Sequence, residues 1–237
     1  MDEQSTAVRA GEYTHLNADA KLLSVNVGRP RLVMRNGETV STGIFKEPVE
    51  GRVTLRRLNL NGDRQADLTV HGGLTKAVYV YPSEHYDFWK VELQEMKLPP
   101  GSFGENFTTS GLHEDEVNVG DKFRVGSALV RVTEPRMPCY KLGIRFGRTD
   151  IIKKFLASER TGFYLSVLQE GEVGAGDEIE LFERDKQAVR ISDITRLFAW
   201  DKRNTQLLRR AIDLEALPES WRQHFRQQLE RLSDSSN

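Results

Sequence analysis

One cysteine, Cys139, stands in a chain of 237 residues. An internal disulfide is therefore excluded, and with it the small secreted scaffolds that depend on cross-links, so a reducing compartment is the expectation. Long apolar runs are also lacking, since no segment approaches the roughly 18 to 20 uninterrupted apolar residues of a membrane span. The opening MDEQSTAVRAGEY carries Asp2 and Glu3 and has no apolar h-region, and the cytoplasm is the expected location. No charge sign dominates. Lys plus Arg is 34 and Asp plus Glu is 35, a formal charge of −1, so neither a nucleic-acid polymer nor a membrane is expected as partner. Several site signatures are missing as well. The histidines His15, His71, His85, His113 and His224 show neither the H-E-x-x-H pattern nor paired cysteines for zinc. A self-contained iron–sulfur cluster normally needs four cysteines. No Walker loop and no G-x-G-x-x-G fingerprint occurs.

What is present is a succession of short period-two segments. Leu22 to Val27 and Arg31 to Met34 come first, the latter closed by the turn pair Asn36-Gly37; Val53 to Leu55, Ala77 to Tyr81, Asp121 to Val125, Ala128 to Val132 and Phe163 to Leu168 follow. Many short strands with frequent glycine turns predict a mainly β fold with a barrel at its core, because the regular strand–helix alternation of a doubly wound sheet is absent. Two helices interrupt it, Glu84 to about Gln94 after Pro82-Ser83, and Ile151 to Ser158 with Thr149-Asp150 as the cap. Beyond about Lys186 the texture changes to three helices: Ile194 to Trp200 after Ser192, Thr205 to Ile212 after Asn204, and Glu219 to Leu232 after Pro218. In the last, Trp221, Phe225, Leu229 and Leu232 form one stripe that must pack on something. The predicted organisation is a β-barrel domain over 1–185, with an N-terminal arm and inserted helices, and a small three-helix bundle over 186–237.

Three motifs could carry chemistry. In Glu134-Pro135-Arg136-Met137-Pro138-Cys139-Tyr140-Lys141-Leu142 two prolines fix φ and remove amide donors, which makes a rigid extended approach to the thiol. A lone cysteine is by default a small buried hydrophobe. Here Arg136 and Lys141 stand close in sequence, and neighbouring cations favour the thiolate, the form that binds metals and attacks electrophiles. In Val70-His71-Gly72-Gly73-Leu74-Thr75-Lys76 adjacent glycines permit the positive φ that anion-cradling turns use, and Lys76 adds charge; a solvated hairpin turn explains the run equally well. In Gly101-Ser102-Phe103-Gly104-Glu105-Asn106-Phe107 polar residues could line a pocket, or the run is a capped surface loop. The run His113-Glu114-Asp115-Glu116 reads as a solvated acidic turn. A Cys139–His71 nucleophile pair has no family signature behind it.

These three motifs, in this order and together with Leu60-Asn61-Gly62-Asp63 and Tyr81-Pro82-Ser83-Glu84-His85-Tyr86, resemble the MOSC domain, named for the C-terminal domain of molybdenum cofactor sulfurases, and within it the stand-alone YiiM-like branch. The resemblance runs from Gly43-Ile44-Phe45-Lys46 to about Phe182 as the barrel and continues into the three-helix tail. It implies a molybdopterin-type molybdenum cofactor with Cys139 as the protein ligand of molybdenum, a soft centre suited to thiolate. Phosphate and pterin would be held by Lys46, His71, Gly72, Gly73, Lys76, Arg136 and Lys141, while Glu105 and Asn106 would bond the pterin or position substrate. The implied reaction is two-electron reduction of a small N-hydroxylated compound, such as a hydroxylaminopurine-type base analogue. Electrons would come from a separate reductase or flavoprotein. A homodimer is compatible with this reading. The alternative is a module that carries the molybdenum cofactor or sulfur without turnover of its own. Pyridoxal phosphate belongs to the desulfurase domain that sulfurases join to MOSC, for which this chain has no room.

Overall fold

The computed structural model describes residues 19–64 and 72–234. His71, most of the predicted N-terminal arm and the end of the C-terminal tail lie outside the described residues. In chain order the strands are β1 (Lys21–Val27), β2 (Arg31–Arg35), β3 (Glu38–Thr42), β4 (Glu47–Pro48), β5 (Arg52–Leu55), β6 (Val78–Pro82), β7 (Phe107–Ser110), β8 (Lys122–Val125), β9 (Ala128–Pro135), β10 (Phe163–Gln169), β11 (Gly171–Gly174) and β12 (Ile179–Glu183). The helices are α1 (Glu84–Glu92), α2 (Tyr140–Phe146), α3 (Ile151–Ala157), α4 (Ile191–Ala199), α5 (Thr205–Ile212) and α6 (Glu219–Asp234). None of these helices is long and apolar enough to cross a membrane.

Eight strands form one mixed sheet in the order β12-β8-β9-β10-β6-β7-β1-β4, with β6 and β7 parallel and the other pairs antiparallel. Alternation explains its inner face: Phe123 and Val125, Val130 and Val132, and Phe163 and Leu165 all point into one apolar cluster. The mainly β class with helices is as expected, but the closed barrel is corrected. The hydrogen-bonded ladder ends at β12 and β4, and among the described residues its two sides approach through the isolated bridge between Lys21 of β1 and Glu178, just ahead of β12, and bonds such as Ile179 N–H to the Ala20 carbonyl at 2.8 Å. The hairpin of β2 and β3 turns at Asn36-Gly37, where both φ angles are positive, at 50° and 83°.

Helices α4 to α6 form where the chain predicted them. The first starts three residues earlier than expected, so Ser192 lies inside α4 and Asp193 accepts the Arg190 N–H at 3.0 Å. Asn204 does cap α5, accepting the Leu207 N–H at 3.0 Å. Ser83 and Asp150 make no side-chain cap; Asp150 instead pairs with Arg148 at 2.5 Å. Ile191, Ile194, Leu197, Leu208, Trp221 and Phe225 are buried in the same cluster as the sheet residues, with Leu229 and Leu232 packed against it. The helical stripe thus finds its partner in the β-sheet.

A second cluster sits on the other side of β6. Tyr81, Trp89, Phe103 and Phe155 are fully buried there, with Tyr81 stacked on Phe103 at 4.6 Å between centroids and Trp89 donating its indole N–H to the Tyr81 hydroxyl at 2.6 Å. It binds α1, α2 and α3 to the sheet beneath the cleft described below. We predict that Phe103→Ala lowers unfolding free energy by about 3–5 kcal/mol in a urea titration, the usual consequence of emptying a large aromatic site.

The run at His113 to Glu116 also differs from expectation. Glu114 is buried, accepts from the His85 ring at 2.7 Å and from the Gly162 N–H at 2.6 Å, and lends its carbonyl to Ser192 of α4. Burial alone would raise its pKa, but the His85 charge and hydrogen bond outweigh burial and hold it below the usual 4.5. A carboxylate with a depressed folded pKa contributes stability above the unfolded value that disappears as pH falls through the folded one. Acid unfolding of Glu114→Gln is therefore expected to show a flatter loss of stability below pH 4.5 than the parent chain, as read by circular dichroism.

Candidate functional site

The thiol of Cys139 opens into a cleft of about 670 Å³, a volume that includes solvent at its mouth. Its wall is made by Thr42 at the end of β3, by Gly43, Ile44 and Lys46 after it, by Gly72 and Lys76 before β6, by Tyr79 of β6, by Gly104 and Asn106 before β7, and by Tyr164 of β10. The stretch after β9 completes it with Arg136, Met137, Cys139 and Lys141. Residues separated by more than 90 positions converge because β6, β9 and β10 are neighbours in the sheet. Cys139 itself is extended, with φ −121° and ψ 172°, and partly exposed just ahead of α2. The rigid approach predicted from Pro135 and Pro138 is thus an extended strand end feeding a short helix.

Seven of the predicted residues share this wall: Lys46, Gly72, Lys76, Asn106, Arg136, Cys139 and Lys141. Arg136 is buried on a bed of aromatic rings, its guanidinium 5.1 Å from the centroid of Tyr79 and 5.0 Å from that of Phe155. Its backbone N–H is bound to the Gly162 carbonyl, yet the buried Nη1 has no hydrogen-bond partner among the described residues. An orphaned charged donor in a dry place is costly, and an anion that enters the cleft would satisfy it. Lys141 is buried too and makes no ion pair among the described residues. Lys46 and Lys76 are each neutralised from behind, Lys46 by Asp63 at 2.5 Å and Lys76 by Glu134 at 3.5 Å. Four cations against two carboxylates leave a net positive wall.

Asn106 works indirectly. Its Oδ1 accepts the Tyr79 N–H at 3.1 Å, and its amide nitrogen donates to the Asn26 carbonyl and to Asp63, the latter at 3.0 Å. Both amide hydrogens are thereby committed, so Asn106 orients Asp63, which in turn holds Lys46 and the Gly28 N–H. Glu105 requires correction. It is fully buried away from the cleft wall, and its carboxylate accepts from the Gly101 and Phe103 N–H groups at 2.7 and 3.0 Å, from Thr108 at 3.0 Å and from the Tyr86 hydroxyl. Burial raises its pKa above the usual carboxylate value, while these donors pull the other way. It fixes the loop from behind the cleft wall. Gly101 is required in that loop: its φ is +85°, and a Cβ would stand 2.7 Å from the Lys46 carbonyl oxygen. Gly73 also leaves the predicted set, since it shapes the turn by accepting the Lys76 N–H at 3.1 Å but does not form the wall.

The sequence reading did not find Tyr79, Tyr164, Met137 or the Thr42–Ile44 stretch. The two tyrosines stand in strands whose alternation looked like ordinary core. Burial pushes the Tyr164 phenol up to about 12, so it keeps its proton. Asp63 had one signal, its place in Leu60-Asn61-Gly62-Asp63.

Comparison with known proteins completes the description. The MOSC domain model matches residues 67–180, and the model of the YiiM-like 3-alpha helix domain matches residues 191–232. A protein of Bacillus subtilis (strain 168), YflK, is 42% identical over 211 residues that make up 89% of this chain and 95% of that one. The chain belongs to the MOSC-domain family, in its YiiM-like branch. That family is associated with molybdenum-cofactor binding. The crystal structure of YiiM from Geobacillus stearothermophilus superposes with a TM-score of 0.75 at 33% identity, covering 89% of this chain and 99% of that chain. A Gibberella moniliformis protein named a reductase is 33% identical over 198 residues, 78% of this chain and 34% of that larger protein.

The support under the cleft can be tested without any ligand. Glu105→Ala would leave two buried amides and Thr108 without their acceptor and Tyr86 with only the Pro99 carbonyl at 3.4 Å, and we expect it to lower stability by roughly 3 kcal/mol or more in chemical denaturation.

Proposed function

We propose that this MOSC protein holds a molybdenum cofactor of the pterin-dithiolate type in the Cys139 cleft and reduces small N-hydroxylated compounds with electrons from a separate reductase. The observation that carries the reading is the buried Arg136 with its unsatisfied Nη1, set in a cationic wall beside the only thiol of the chain. Such a cofactor has a phosphate for that donor and a soft metal for that thiol, so the residues present fit it. Its association with the family and the existence of a relative named a reductase point the same way.

When bound, the cofactor would supply reversible two-electron chemistry at its metal. The tasks of the chain are distinct. Cys139 would be the metal's protein ligand, on an extended segment that Pro138 stiffens. Arg136 and Lys141 would hold the phosphate, with bidentate contact available to the guanidinium alone. Lys46, fixed by Asp63 and Asn106, and Lys76, backed by Glu134, would border it as partly neutralised cations. Reduction of R–NHOH to R–NH2 takes up two electrons and two protons and releases water. The proton-bearing groups at the wall include the ammonium groups of Lys46, Lys76 and Lys141 and the Tyr164 phenol, the last held neutral by burial. Ile44, Met137 and Tyr79 give the cleft an apolar side for an aromatic or amidine-like substrate.

Metal analysis and reductase-coupled turnover of N-hydroxylated substrates, on protein isolated from a cofactor-making host, test this. Cys139→Ala is expected to fold normally, to retain little or no molybdenum and to lose turnover by several orders of magnitude. Arg136→Ala is expected to lose the cofactor even with Cys139 in place. Molybdenum present without turnover on any such substrate would favour the carrier alternative, and its absence from all three proteins would refute the assignment.

A further inference from the structure

One contact crosses from the three-helix unit to the cleft. The indole N–H of Trp221, in α6, donates to Glu134 Oε2 at 2.7 Å, and the same oxygen lies 3.5 Å from the Lys76 ammonium on the cleft wall. The other oxygen, Oε1, accepts from Thr75 at 3.4 Å. Glu134 is buried, and the remaining titratable group opposite it is Tyr164, its pair across β9 and β10. We infer that Trp221 is a positioning residue of the cleft, which holds Lys76 through Glu134 and makes the three-helix unit part of the binding site.

The chemistry explains why an indole is used. A buried carboxylate needs donors, and tryptophan offers one donor that cannot itself accept a proton or carry charge. It satisfies Glu134 without competing with Lys76 for the countercharge. Burial raises the Glu134 pKa, and Lys76 and the indole work against that rise. Loss of the indole would let the carboxyl protonate at higher pH and release Lys76 from its anchor. Packing alone asks less of this position: Trp221 meets Phe198 edge-on and Phe225 at a tilt, at centroid separations of 5.2 and 5.8 Å, contacts that a phenylalanine could also make.

The inference rests on the cleft being an anion-binding site, and the test separates the two. Sulfate, whose own charge is constant over the working range, is titrated into the full cofactor-free chain at a series of pH values, with binding followed calorimetrically. Protonation of Glu134 removes a negative charge behind Lys76, so sulfate affinity should rise as pH falls through the Glu134 pKa. In Trp221→Phe that inflection is expected to move up by about one pH unit, the equivalent of a hydrogen bond to a charged group. In Glu134→Gln it should vanish, leaving tight binding at all pH values.

Sulfate binding that is lost in Arg136→Ala but unshifted in Trp221→Phe overturns the positioning role alone. No sulfate binding by the parent chain overturns the anion-binding reading and this inference with it. Should Trp221→Phe fail to fold, the Trp221 indole N–H resonance of the parent chain, followed by NMR against pH, decides: a resonance that titrates with the sulfate inflection supports the positioning role, and a pH-invariant one refutes it.

Discussion

The site depends on a guanidinium buried without a carboxylate. Arg136 lies over the rings of Tyr79 and Phe155, is tethered through its backbone N–H and by a side-chain hydrogen bond with Tyr164, and yet keeps a buried Nη1 with no partner among the described residues. That arrangement is unfavourable unless the surroundings are rigid, because a soft pocket would let the side chain swing out to solvent. Rigidity comes from the cluster of Tyr81, Trp89, Phe103 and Phe155, and from the sheet that fixes Tyr79 and Tyr164 on either side. The aromatic cluster is therefore as much a part of the binding site as the cations are.

Around Arg136 the chain uses carboxylates as struts rather than as reagents. Asp63 holds Lys46, Glu134 holds Lys76, and Glu105 gathers the loop that ends in Asn106. Each stands one layer behind the wall, so the wall itself presents ammonium and guanidinium groups while the charge of the whole region stays moderate. Two of the four cations thus have their charge balanced from behind, and Arg136 and Lys141 carry the excess.

Much of this was legible in the sequence, for physical reasons that can be named. Period-two alternation located β1, β2, β5, β6, β8, β9 and β10, and the cap at Asn204 located α5. The glycine turn, the Lys46 segment and the Pro-Cys motif carried most of the wall. Strand β7 was missed because Thr108, Thr109 and Ser110 look like loop until neighbouring strands pair with them and bury the two threonines. Helix α2 was missed because Pro138 and the glycine at 143 mask a helix of only seven residues. Glu105 stands behind the wall and not on it, a difference the sequence does not show, because a buried carboxylate and a cleft-facing one have the same one-letter code. Spacing cannot reveal which way a side chain turns, and alternation reads the same in an open curled sheet as in a closed barrel, so the opening between β12 and β4 left no mark on the sequence.

The solitude of Cys139 has a further consequence. Should peroxide convert its thiol to a sulfenic acid, no second cysteine in this chain can condense with it to form a protective disulfide. The oxidised sulfur would then face either over-oxidation, which is irreversible, or rescue by a small thiol diffusing in through the partly open cleft. The same mouth that admits a substrate would thus decide whether an oxidatively damaged molecule can be repaired.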